Sequence, residues 1–318
     1  MKEELNARCE AFLAEHEKLS HEFKLGSRLM VCLGALLVNM DGLSVDAQSV
    51  KESKALLKSA THAFSSFRGT GMPAIITKLA VKNDAKDWMQ KAAEAYKVLR
   101  QEGFPPSESL ALGAFHITKH IKNAQQLSRR AMELYSDMRQ SSPLRISSQD
   151  ACYCLMQACY LPDRVVDVCS PVLKGVLPSA SVRLASQALL LCGEDPLPYA
   201  ERTASLYLKL KAKKLSPSAC SPILAPLALL CDDEDEAVSE IEELNGLLRT
   251  RRGFTNFAIG KAARLCVCAA LVSFMRLAAA ENATMHDRLR DITQFTLSLT
   301  LLSEAARAAS AASGSASC

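Results

Sequence analysis

The chain reads as all-α, with helical-hairpin repeats forming an α-solenoid-like array behind N-terminal capping helices. Three observations predict this. Ala and Leu dominate, while aromatics are 5% and only 13 Gly and 12 Pro occur in 318 residues. Ala and Leu lose little freedom in a helix, and Ala is depleted in sheets. Apolar residues recur at helical spacing almost throughout. Amphipathic segments also alternate with segments that are apolar all round. A two-layered helical array requires that alternation, because an outer helix exposes one face and an inner helix exposes none. Hydrophobic residues at 49% and charged residues at 23% supply a sizeable core and exclude global disorder.

The elements follow in order. Three capping helices are expected over roughly 2–18, 22–39 and 46–66. In the next, spanning Asp87 to Arg100, Trp88, Ala92, Ala95, Tyr96 and Leu99 share one face. Leu110 to Ile117 is apolar all round. Leu127, Ala131, Leu134 and Met138 mark another amphipathic helix. Ser147 and Asp150 have capping-box spacing, with Asp in the usual Glu or Gln position, and Pro162 suits a first helical turn. Leu184 to Leu191, Ile223 to Leu230 and Ala262 to Val272 are further buried helices. Between the last two, Ala237, Ile241, Leu244 and Leu248 form an apolar face. Acids at 232–236 open that helix and Arg249 to Arg252 close it, complementing the macrodipole, with Gly253 suited to the left-handed position beyond the end. A closing helix follows Asn282, and the Ala/Ser-rich tail from Ala305 to Cys318 is expected to fray. The divisions are 1–66 as capping helices, 67–282 as hairpin repeats continuous with the cap, and 283–318 as closing helix and tail.

A five-residue pattern recurs where outer helices are expected to end: an anchor, two variable residues, Leu, Met or Phe, then Lys or Arg. It reads Phe64 to Arg68, Tyr96 to Arg100, Tyr135 to Arg139, Ser170 to Lys174, Tyr207 to Lys211 and Asn245 to Arg249. The anchors are 32, 39, 35, 37 and 38 residues apart. Two-helix units of this length are the period of α-solenoids, whose neighbours stack because no unit buries its apolar face alone. Pro171 and Gly246 mark the weakest units.

Phe64 to Arg68 followed by Ile75 to Leu79, then Tyr96-x-x-Leu-Arg-x-x-Gly-Phe104 and its Ser109-x-x-Leu112-x-Ala114 helix, resemble a bacterial family catalogued as domain of unknown function four thousand and three. The resemblance spans about Phe12 to Leu271, and its motifs are mostly packing residues. It implies a bacterial cytoplasmic protein and supplies no catalytic residue. One departure is Pro143-Leu-Arg-Ile146, where a more polar loop with a His is expected.

The net charge of +4 is too mild to imply nucleic acid. Met1 to Leu5 opens a charged helix rather than a signal peptide. Leu29 to Val38 and Leu265 to Ala280 are too short to span a bilayer, the second also being broken by Arg276. The 12 Cys include no C-x-x-C pair, so buried free thiols in a reducing cytoplasm are expected.

His16 and His21 miss the i, i+4 spacing of a zinc-protease helix, since five residues turn about 500°. His116 and His120 have that spacing but no acidic or Cys partner nearby in sequence. They are expected to pack at a helix border and to face solvent, respectively. Gly69-Thr-Gly71 suits a helix C-cap turn rather than a phosphate cradle. No cofactor or metal site is expected.

The recurring bases remain: Arg68, Arg100, Arg139, Lys174, Lys211 and Arg249, thickened at one end by Lys213, Lys214, Arg251 and Arg252. Dipole complementation accounts for them at a few tenths of a kcal/mol each. As a ridge they would bind a partner with an acidic protein surface. Aromatics are not interleaved for base stacking. The leading expectation is a non-enzymatic interaction or scaffold module. The alternatives are an enzyme or small-ligand site in the groove between inner helices, drawing on Tyr96, Tyr135, Tyr207 and His116, and a membrane-surface protein in which apolar residues insert beside the ridge.

Overall fold

Helices that are apolar all round must be covered on all sides, and the chain meets that demand by closing on itself. The computed structural model describes residues 2–121, 123–141, 147–161, 167–192, 195–279 and 283–314. Pro143 to Ile146 and Pro162, singled out above, lie outside them. The described residues form fifteen α-helices and two 3-10 turns, Ser66–Arg68 and Thr118–His120, with one isolated bridge between Lys174 and Leu177 and no named strand. The chain is all-α.

The helices pair in chain order: α1 (Lys2–Glu22) with α2 (Arg28–Met40), α3 (Ala47–Ala60) with α4 (Met72–Ala80), and α5 (Ala85–Gln101) with α6 (Glu108–Ile117). Then come α7 (Ala124–Ser141) with α8 (Ser148–Tyr160), α9 (Ser170–Leu173) with α10 (Ser179–Cys192), α11 (Leu197–Ala212) with α12 (Ser221–Leu229), and α13 (Glu234–Thr250) with α14 (Lys261–Ala279). The last is α15 (Ala283–Gly314). Odd-numbered members of the pairs are outer helices and even-numbered ones inner. Buried Met89, Ala92, Ala95 and Leu99 form the inward face of α5, with Trp88 and Tyr96 half-buried beside them. In α2, by contrast, every residue from Leu29 to Val38 is buried.

Inner helices pack on their neighbours around most of the molecule, the step from α4 to α6 passing through α5 and the Ser66–Arg68 turn, and α14 returns to pack on α1 and α2. The expected alternation of layers is present, but the row has no free ends. Seven hairpins make a closed ring, and α1 to α3 are ring members rather than caps on an open array. The reason is α15. It packs on α2, α6, α10, α12 and α14. Lys78 of α4 donates to its Gln294, and Gln149 of α8 donates to the Leu299 carbonyl. All seven inner helices therefore touch α15, and every residue from Ile292 to Leu302 is buried.

The direction of α15 follows from its contacts. Arg288, Asp291 and Gln294 meet Leu191, His120 and Asp41, at or beyond the C-termini of α10, α6 and α2. At the other end a Cβ on Gly71, at the start of α4, would lie 3.8 Å from Leu302. The inner helices run antiparallel to α15, which opposes their dipoles.

Several local readings hold. Gly253 adopts φ +91° beyond α13. Asp150 Oδ2 accepts from both the backbone N–H and the Oγ of Ser147 at 2.7 Å. The first repeat copy is out of register. α3 ends at Ala60, because Thr61 turns extended and its Oγ1 donates to the Leu57 carbonyl. Phe64 therefore lies off the helix and fully exposed, while Leu57-Lys58 takes the helix-end position. Gly69 is the C-cap residue of the 3-10 turn Ser66–Arg68, as expected of Gly69-Thr-Gly71. Gly71 N–H donates to Glu108 of α6 at 3.1 Å, and a Cβ on Gly69 would sit 2.2 Å from that carboxyl carbon.

The plug should dominate stability. Phe295, fully buried with Tyr153 edge-on at a centroid distance of 5.4 Å, should cost about 3–5 kcal/mol on replacement by Ala, against less than about 0.5 for Leu208→Ala on the exposed face of α11. Urea unfolding monitored by circular dichroism measures both, and equal midpoints would contradict a load on α15.

Candidate functional site

Outer helices α3, α7, α9 and α13 begin beside a side-chain acceptor and end near a base, and ring closure turns that local pattern into a global one. Asp46 accepts from Ser49 N at 2.9 Å, Asn123 from Gln126 N at 3.1 Å, Asp167 from Ser170 N at 2.9 Å, and Asp233 from Asp235 N at 2.8 Å. All outer helices run the same way, so these caps gather on one rim, with the inner-helix C-termini. The outer-to-inner turns gather on the opposite rim, where Arg68, Arg100, Arg139, Lys174, Lys211 and Arg249 lie in six successive turns.

Their surroundings differ. Arg68 is spent internally: Nε donates to Thr61 Oγ1 at 2.9 Å and Nη2 to the Lys58 and Thr61 carbonyls, capping α3. Arg100 Nη1 donates to the Phe104 carbonyl. Arg139 lies 6.0 Å from the centroid of the Tyr135 ring. Lys174, Lys211 and Arg249 are exposed at the ends of α9, α11 and α13. Sequence reasoning missed the apolar side chains on this rim. Leu25 is 103% exposed, Phe64 96% and Phe257 102%, against 49% for Leu208.

The groove between inner helices holds α15. The tyrosines expected there do not converge. Tyr96 and Tyr207 are hydrogen-bonded to Ser66 at 2.9 Å and Ser218 at 3.3 Å, and Tyr135 packs on Phe104 at 5.5 Å. A small cleft of about 40 Å³ opens beside α15 among Gln149, Ser181, Ser218, Ser303, Glu304 and Arg307, enough for a few waters.

At the other end of α15, polar side chains clamp it to the inner helices. Lys78 Nζ lies 2.6 Å from Asp41 Oδ2 and 3.2 Å from Gln294 Oε1, and Gln294 Nε2 donates back to Asp41 at 2.7 Å. Asp291 pairs with Lys119 at 2.5 Å and His120 at 3.1 Å, and accepts from Tyr160 at 2.6 Å. His120 thus faces an acid 171 residues away in sequence rather than solvent. Burial alone would raise the Asp291 carboxyl, but bonds from His120, Lys119 and Tyr160 outweigh it and hold the group down at about 2.

His116 sits 2.9 Å from Ser298 Oγ. Ser298 donates to the Gln294 carbonyl at 2.7 Å, so His116 Nε2 is the donor toward Ser298 and is not placed to activate it as a base. The two histidines serve separate partners. The eleven described cysteines are free thiols and ten are buried. Burial pushes Cys154, for example, up to about 12.

The chain matches the model of the family described as "Protein of unknown function (DUF4003)" over residues 15–302. It matches no curated protein and no solved structure.

Buried His16 and half-buried His116 make stability acid-sensitive. Burial lowers His16 to about 4. Burial, then the Lys78 charge, lowers His116 to about 3. Both groups are depressed in the fold, so the unfolded chain binds protons first. Their stabilisation is intact above about pH 6.5 and is lost as pH falls toward 4 and then 3, by up to about 1.4 kcal/mol per unit per group. The Asp291 contribution is lost lower, between about pH 4 and 2. The urea midpoint should fall from pH 7 to pH 4.5, and a His16→Leu/His116→Gln chain should flatten that fall. An unchanged slope would place the acid sensitivity elsewhere.

Proposed function

We propose that this chain, which belongs to the DUF4003 family, is a non-catalytic interaction module that presents the basic rim of its ring to an anionic partner surface. The observation that carries this reading is the occupied lumen. With α15 buried from Ile292 to Leu302, the groove where a helical array would gather a substrate is taken up by the chain itself. The rims remain. The rim with Arg139, Lys174, Lys211 and Arg249 suits an anionic surface, which long-range attraction would steer toward it. The free thiols suit a reducing, cytoplasmic setting. No described helix is long and apolar enough to cross a membrane.

The test is salt-dependent capture from native lysate by the parent chain and by a chain carrying Arg139→Glu, Lys174→Glu, Lys211→Glu and Arg249→Glu. All four positions are exposed, so the fold should be kept, and four reversals at two charges each take the net charge from +4 to −4. The parent should retain partners at low salt and fewer at physiological salt, and the reversed chain should retain at least about tenfold less. No salt-sensitive capture, or capture unaffected by the reversals, would overturn the reading.

A further inference from the structure

Three consecutive turns on the basic rim share a construction that capping does not explain. Each buries one aromatic side chain and projects one large apolar side chain. In the α1–α2 turn Phe23 is buried and Leu25 projects. In the α3–α4 turn Phe67 is buried, packed 5.4 Å from Tyr96, and Phe64 projects. In the α13–α14 turn Phe254 is buried against Phe12 at 5.5 Å and His16 at 4.7 Å, and Phe257 projects. Ring closure makes these three turns neighbours, since α14 packs on α1 and α1 on α3.

The projecting residues are held out rather than left slack. Arg264 is 3% exposed and grips the last turn, with Nη1 donating to the Phe254 carbonyl at 3.0 Å and to Asn256 Oδ1 at 2.9 Å, and Nε to Asn245 Oδ1 at 2.9 Å. In the second turn Ser65 Oγ accepts from Phe67 N, and Arg68 ties the turn back to α3.

Exposed cations stand near each tip in sequence: Lys24 and Arg28 beside Leu25, Lys58 before Phe64, and Arg251, Arg252 and Lys261 around Phe257. Of the nearby acids, Glu22 lies 3.6 Å from Lys54 and Glu10 lies 2.5 Å from Arg251.

Resting on the interaction-module reading of this rim, we propose that its partner is an anionic lipid surface, with Leu25, Phe64 and Phe257 inserting among the acyl chains while the flanking bases meet the headgroups. Phe and Leu beside Lys and Arg are what interfacial binding uses: apolar burial for depth and cations for anionic headgroups. The projections stand on separate hairpins, on the order of 10 Å apart. Separate points suit a deformable lipid face, whereas a protein partner would need a matching pocket for each.

The test is flotation of the full chain with vesicles of phosphatidylcholine alone and of phosphatidylcholine mixed with phosphatidylglycerol, at low and physiological salt. The parent should float with the mixed vesicles only. A Leu25→Ser/Phe64→Ser/Phe257→Ser chain, whose changes touch no buried atom, should bind at least about tenfold less at physiological salt. In a Phe257→Trp chain, indole emission should shift to the blue on adding mixed vesicles, against a parent background from buried-side Trp88.

Absence of flotation by the parent, equal flotation of the triple-serine chain, or no blue shift would each overturn the lipid inference. If salt-sensitive capture of proteins persists while vesicles are not bound, the lipid inference falls and the interaction-module reading stands. A serine-dependent change in sedimentation without vesicle binding would make the tips a contact between copies of this chain, again overturning it.

Discussion

The burial of α15 inside the ring is the constraint on which the other features of the fold depend. Inner helices that are apolar all round need cover on the side facing away from their outer partners. Helices in contact lie about 8–10 Å apart. Seven of them closed at about 9 Å spacing put each axis about 10 Å from the ring centre, which is again one helix-to-helix distance. A ring of this number therefore has room for a single helix and needs one to avoid a void. A helix placed there must lack a polar face, and from Ile292 to Leu302 α15 has none exposed.

Surrounding a helix with seven others also raises a problem of register, since an apolar rod can slide and rotate. The side chains of α15 answer it in two ways. Two of its small polar groups bond within the helix, Thr293 to the Leu289 carbonyl and Ser298 to the Gln294 carbonyl, so burying these two hydroxyls leaves neither donor unmet. Its larger ones reach outward to particular helices: Gln294 to Asp41 and Lys78, and Asp291 to Lys119, His120 and Tyr160. Removing one member would strand the others in a low-dielectric place, which makes such pairs better at fixing position than at adding stability. At the far end Glu304 lies among residues at the starts of α8, α10 and α12, where the positive ends of inner helices favour a carboxylate.

What the sequence made legible was local. Layer alternation, the Ser147–Asp150 cap, Gly253 and the bases at helix ends each depend on residues within a turn or two of one another. Closure was not legible, because it joins α14 to α1 and α2 across most of the chain. The plug was hidden for another reason. Phe295 to Leu302 alternates apolar residues with Thr and Ser, a pattern closer to a strand than to a helix buried all round. The first repeat copy went wrong because residue identity was matched without helix phase: Phe64 looks like Tyr96 in sequence, but Thr61 ends α3 before it. Of the candidate rim, the cations were visible as repeats, whereas its apolar members were not. Exposure of a Phe is a tertiary property, and Phe64 and Phe67 look alike in a sequence although only Phe67 is buried.

The charges and the apolar tips on this rim have different physical standing. A base at a helix end improves that helix by a few tenths of a kcal/mol, and Arg68 and Arg100 show the cost-free version, bonded to the carbonyls of their own turns. Helix stability alone would place cations on this rim in any ring whose outer helices run one way. Exposed Leu25, Phe64 and Phe257 gain nothing of that kind. A Phe left in water forgoes roughly 1.5–3 kcal/mol of burial, and each of these turns already has a buried aromatic to hold it. Single exposed apolar residues need no explanation. Three of them on consecutive turns, with Arg264 fixing one of those turns in place, are not explained by helix stability. They are also the part of this rim whose exposure the folded monomer does not need.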